Sequence, residues 1–228
     1  MTIRLSDPDG PAGLSRRRVL LSSLALAGGA VAGLPAATAS AAPRNGTAAS
    51  TANGWPVLPS AVTTLVEGSD LTVSLCPGPA TVILVHCLRR YLYEVDATVR
   101  QDELTGYRAD RAASTAEAGN HRSGTAIAIR PAAYPDGVAG GYFPPGVAVI
   151  RDIVAECEGV VRWGADCVPV QESRFQIDVP PSDPALRRVA DKITAWAGRP
   201  GEGAGVVVDP AEPGRRAAAI ALQRRQRR

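Results

Sequence analysis

Only two histidines, His86 and His121, occur among the 228 residues, alongside four cysteines, 22 acidic and 25 basic residues. Any imidazole chemistry must therefore run through one of these two positions. His86 sits beside Arg89 and Arg90 in a stretch with helical apolar spacing, the setting of a structural histidine. His121 opens a different stretch, Asn120-His121-Arg122-Ser123-Gly124-Thr125-Ala126-Ile127-Ala128. There an imidazole precedes a glycine and an alternating apolar run, an arrangement suited to a metal ligand if carboxylates or a second imidazole converge on it. Two later stretches carry further polar groups: Gly159-Val-Val-Arg-Trp163-Gly164-Ala-Asp166 and Gln171-Glu172-Ser173-Arg174-Phe175-Gln176-Ile177. Ser123 and His121 share a local turn without an obvious acidic partner, so no nucleophilic triad is read here. The glycines at 137, 140 and 141 lack the strand–turn–helix context of a phosphate loop.

In this order, the three stretches resemble the zinc D-alanyl-D-alanine carboxypeptidase family, the VanY-type and endolysin peptidases of bacterial cell walls. The family pattern is His-x-x-Gly-x-Ala-x-Asp, then Trp-Gly-Gly, then an acid three residues before a His-Phe pair on a strand. Gly106-Tyr107-Arg108 also resembles the family's Gly-Tyr-Arg, whose arginine contacts the substrate peptide. The resemblance spans about residues 80–196. It implies a DD-peptidase (Hedgehog-like) fold in which zinc, held by His, Asp and His, makes a bound water nucleophilic. It also implies a carboxylate acting as general base.

At the chemical positions the chain departs from that pattern. His121 matches the first ligand, but Ala128 stands at the Asp position and has no ligating atom. Arg174 stands at the second His position, and a guanidinium is a permanent cation that cannot bind metal. Gln171 occupies the general-base position and cannot take a proton. Glu172 is one step out of register with it, and Asp166 reads as a turn residue. The expectation is a domain without a cofactor and without catalysis, whose Arg108 and Arg174 offer cations to the carboxylates of a peptidoglycan stem peptide. The alternative is an active zinc peptidase with a rearranged metal site built around His121.

The elements that must position these residues follow from periodicity. Apolar residues at helical spacing predict a helix over Pro79–Val99, a second over Val147–Cys157, and a third from the Asp183 cap through Trp196. Alternation predicts strands at Thr125–Ile129, Val160–Trp163 and Arg174–Val179, with loops over 100–124 and 131–146. The pattern is α+β, a single domain with an antiparallel sheet packed by helices. All ten aromatic residues fall between Trp55 and Trp196, which confines the core to residues 55–197.

Outside that window the chain changes character. Residues 1–41 carry Arg16-Arg17 before Val19-Leu20-Leu21, a weakly apolar run and small-residue cleavage sites, the order of a twin-arginine export signal. The apolar run is too short and Gly/Ala-rich to span a bilayer, so no membrane span is expected once the signal is removed. Residues 42–54 read as a linker, and 198–228 as a disordered Arg-rich tail of a kind that could rest on anionic wall polymers. The net charge of +3 is concentrated in these two arms, which argues against nucleic acid as a partner of the core. Export, to the cell wall or beyond it, makes Cys76, Cys87, Cys157 and Cys167 disulfide candidates. No C-x-x-C spacing supports a zinc site among them. Four cysteines allow three pairings and the sequence does not choose among them, with only a weak preference for the short loops that join 76 with 87 and 157 with 167.

Overall fold

The computed structural model describes residues 50–109 and 116–227, with backbone alone at 116–118. The expected export signal and residues 42–49 of the linker lie outside the described residues.

The described chain opens with a hairpin in a stretch to which the sequence pattern assigned no element. β1 (Val62–Leu65) and β2 (Thr72–Leu75) pair antiparallel, and β2 buries Val73 and Leu75 while Thr72 and Ser74 face outward. This is the period-2 pattern of a half-buried strand. α1 (Pro79–Glu94) follows, with Pro79 in its first turn, where the missing N–H costs nothing. It buries Ile83, Leu84, Cys87, Leu88 and Tyr91 and ends five residues before the predicted Val99. The predicted loop over 100–124 contains β3 (Leu104–Thr105) and α2 (Ala116–Arg122).

The remaining predicted elements are present with shifted ends. β4 is Ala126–Ile129, β5 is Val161–Trp163 and β6 is Arg174–Ile177. α3 (Pro144–Glu156) starts three residues before the predicted Val147, because Pro144 and Pro145, read as loop residues, are tolerated in a first helical turn. α4 (Pro184–Ala197) is capped as expected, with the Asp183 carboxylate accepting from the Ala185 N–H at 2.8 Å.

The predicted disordered tail is corrected by α5 (Pro213–Gln226), a helix that packs along α3. Its Ala- and Arg-rich sequence has high helix propensity, and the Glu212 side chain caps the N–H groups of Gly214 and Arg215. Only Ala219, Leu222 and Gln226 are buried, so it carries almost no hydrophobic periodicity. What docks it is charge: Arg215 reaches Asp152 and Glu156 of α3.

The main sheet is antiparallel throughout, in the order β3-β4-β6-β5, which bears out the α+β expectation. Register divides it into two unlike faces. One carries Leu104, Ile127, Ile129, Val161, Trp163, Phe175 and Ile177, and α1 and α3 cover it. Full burial of each such side chain stabilises the fold by about 1.5–3 kcal/mol. The other face carries Thr105, Ala126, Ala128, Arg162, Arg174 and Gln176. The core lies between the first face and the helices, so the second is left to do something else.

Candidate functional site

The polar face of the sheet is where the three sequence stretches meet. Ala128 on β4 pairs directly with Arg174 on β6, so the two positions predicted as absent ligands are cross-strand neighbours. On its other side Ala128 pairs with Thr105 of β3. His121, in the last turn of α2, joins them through the next residue along, because its Nδ1 lies 2.7 Å from the Gly106 carbonyl oxygen. A carbonyl can only accept, so Nδ1 carries a proton and donates it. The neighbouring backbone is tied in as well, with the Arg108 N–H donating to the His121 carbonyl at 3.1 Å.

Two glycines explain why the motifs are built as they are. Gly124 has φ +66°, and a Cβ there would lie 2.5 Å from the Cys76 nitrogen, where the chain crosses the end of β2. Gly164 must let the backbone of Gln171 approach, since a Cβ would stand 1.9 Å from the Gln171 carbonyl oxygen. The Gln171 N–H in turn donates to the Gly164 carbonyl at 2.9 Å, and the Trp163 indole donates to the Glu172 carbonyl at 2.7 Å. These contacts fix the strand start that delivers Arg174.

A cavity of about 420 Å³ opens on this face, lined by Asn53, Asn120, Arg162, Asp166, Arg174, Gln176, Asp178 and Arg227 among others. Arg174 is 4% exposed, and its Nη2 donates to Gln176 Oε1 at 2.5 Å. The same oxygen accepts from Asn120 Nδ2 at 3.0 Å, and the Asn120 Oδ1 is buried with no hydrogen-bond partner. Arg162 donates to Asp178, whose carboxyl burial pushes above its ordinary range despite that arginine. Asp166 is held bidentately by Arg151 and accepts from Arg227 Nε at 2.8 Å. Three arginines and two aspartates thus line one open groove, alongside amide side chains that can both donate and accept.

Zinc does not fit these residues. Of the three positions that resemble the family's ligands, one has an imidazole, one a methyl group and one a guanidinium. Among the described residues no group of three or more His, Cys, Asp or Glu side chains is placed to hold a metal ion. The base position fares no better: the Gln171 amide donates from Nε2 to Asp136 at 2.9 Å, and its Oε1 is buried without a partner. Glu172 serves the fold instead, its two carboxylate oxygens accepting from the N–H groups of Gly140 and Gly141, each at 2.8 Å.

The other residues singled out by the motifs lie apart from one another. Arg108 is exposed and is not among the residues lining the cavity. His86 is buried on α1, with Nε2 3.1 Å from the Glu156 carboxylate, inside a charge cluster with Arg90, Asp152 and Arg215. Residues 50–54, expected as linker, belong to the folded unit: Thr51 is buried and Asn53 donates to the Ile177 carbonyl at 3.0 Å. The expected local cysteine pairs are also corrected. The structure forms neither bond, and the Cys87 sulfur lies against Cys157 at 3.5 Å. α1 carries Cys87 about 12 Å along its axis from Pro79, away from Cys76 and toward α3.

Sequence reasoning missed most of the cavity wall. Arg174, Gln176 and Asp178 alternate along β6 and beyond, a polar face that period-2 reading could have exposed. Asn53 and Arg227 arrive from distant ends of the folded unit and carry no local signal. No protein-family model matches the chain, and neither a curated protein nor a solved structure is similar to it. No helix among the described residues is long and apolar enough to cross a membrane.

Proposed function

We propose that this chain is an exported, cell-wall-associated protein with a DD-peptidase-like domain that binds peptidoglycan stem peptides and does not cleave them. The observation that carries the reading is the cross-strand pair Ala128–Arg174 on the polar sheet face, with Arg174 in the cavity wall. Where the resemblance calls for two of the metal's three ligands, the chain places a methyl group and a guanidinium. The guanidinium is planar and permanently charged, and it binds carboxylates through paired N–H donors. The terminal carboxylate of a short peptide is such a partner, and Asn120 and Gln176 offer amides for the peptide groups behind it.

The test is a calorimetric titration of the purified domain with a synthetic stem pentapeptide ending in D-Ala-D-Ala, and with its C-terminal amide. The free acid binds at least tenfold tighter than the amide, and Arg174→Met abolishes the difference. The native protein neither hydrolyses the peptide nor holds zinc in 1:1 ratio. Ala128→Asp, Gln171→Asp and Arg174→His together create zinc affinity. Stoichiometric zinc in the unmodified protein, lost on His121→Ala, would establish the active-peptidase alternative instead.

A further inference from the structure

Cys87 and Cys157 are separated by 70 residues in sequence, yet their sulfurs lie 3.5 Å apart between α1 and α3. Both side chains are almost completely buried, at 1% and 0% exposure. Cys87 is in the third turn of α1 and Cys157 is the C-cap residue of α3, two helices that pack directly against one another. We infer that Cys87 and Cys157 are the disulfide pair of this protein, joining the two central helices across the core.

The geometry leaves little to adjust. A disulfide needs sulfurs about 2.05 Å apart, so the helices must close by roughly 1.5 Å or the two side chains rotate slightly. Cys76 has no such partner: it lies at the end of β2, where its sulfur faces the Pro77 carbonyl at 3.8 Å. Cys167 lies at the cavity wall, on the far side of β5 in sequence from Cys157.

In the reaction each thiol gives up its proton and the pair gives up two electrons as the S–S bond forms. The oxidant is another disulfide, that of a thiol oxidoreductase in an oxidising compartment, and it leaves as two thiols. A sulfur as buried as Cys157 is out of reach of such a partner in the folded state, so exchange takes place while α1 is still closing onto α3. Tying residues 70 apart removes much of the disorder available to the unfolded chain. The chain-entropy model puts the effect on the folded-to-unfolded ratio at about a thousandfold.

The inference takes its oxidant from the exported reading, so the experiment separates the two. Reduced, purified protein is refolded in a glutathione redox buffer, as the native chain and as Cys76→Ser/Cys167→Ser, and digested with trypsin without reduction. The expected product in both is the peptide Asn45–Arg89 joined to Asp152–Arg162, with the folded-to-unfolded ratio falling about a thousandfold on reduction. Free thiols at 87 and 157 after refolding, or Cys157 joined to Cys167, overturns the assignment. The same mapping on protein collected outside the producing cells tests the compartment. If none is found outside, and the thiols of the protein retained inside link only in the refolding buffer, the pair stands and the exported reading falls.

Discussion

Replacing Arg215 with Met tests whether charge holds the last helix in place. Arg215 donates from Nε and Nη2 to both oxygens of Asp152, at 2.8 and 2.6 Å, and from Nη2 to Glu156 at 2.8 Å. The carboxylates it serves are 3% and 18% exposed. Two arginines, Arg90 and Arg215, stand in this cluster against Glu94, Asp152 and Glu156, and His86 touches Glu156. Methionine keeps the apolar stem of the side chain and removes the fork, leaving one permanent cation for three carboxylates. Breaking a buried pair from one side typically costs about 3–5 kcal/mol. Arg215 is 27% exposed and Arg90 still reaches Asp152 at 3.0 Å, which brings the expected loss to about 2–3 kcal/mol. For a domain whose whole stability is about 5–15 kcal/mol, that is readily measured by urea unfolding at pH 7. Hydrogen exchange should rise along residues 216–226 at the same time. In an Asp152→Asn background the same substitution should cost at least about 1 kcal/mol less, because the two residues act through one contact. A loss below about 0.5 kcal/mol with unchanged exchange would refute the view that α5 is docked by charge.

The same cluster predicts a response to acid. Burial by itself would raise the Glu156 carboxyl, but His86, Arg90 and Arg215 together hold it down at about 2, against an ordinary 4.5. Because the folded value is the lower one, this group contributes stability that is fully present above pH 4.5 and is lost as pH falls toward 2. The difference is worth about 3 kcal/mol, so unfolding free energy should drop across that window in the native protein and much less in Glu156→Gln, a contrast whose absence would remove Glu156 from the argument. Gly164→Ala places a methyl group 1.9 Å from the Gln171 carbonyl oxygen, so backbone must move. Thermal unfolding should show a loss of at least about 2 kcal/mol, and a neutral substitution would mean the 164–171 turn is looser than described.

The sequence made the central sheet and three helices legible because their burial is periodic. Ile127, Ile129, Phe175 and Ile177 alternate with small or polar residues, and Leu186, Val189, Ala190 and Ile193 mark one face of α4. Where periodicity failed, something else held the element. α5 buries two apolar side chains and one glutamine and lays a half-exposed arginine fork on α3, which no hydrophobic pattern registers. The first turn of α3 is built of Pro144 and Pro145, residues that argue for a loop everywhere except at a helix start. At the site, the identities of His121, Ala128 and Arg174 could be read directly, and their spacing already placed two of them on strands. What could not be read was which residues face them. Asn53 and Arg227 line the same cavity as Arg174 although they come from the segment before Trp55 and the end of α5.

The arginine opposite Ala128 changes what the groove depends on. A positive charge supplied by a bound metal comes and goes with supply: chelators strip it, other metals displace it, and protons compete for its ligands. A charge carried on the Arg174 side chain is made with the chain, since a guanidinium is a permanent cation. On the proposed reading, a surface equipped in this way binds its partner with or without zinc in the surroundings. On that reading it also gives up the one property that a metal brings and a guanidinium cannot, the power to turn water into a nucleophile.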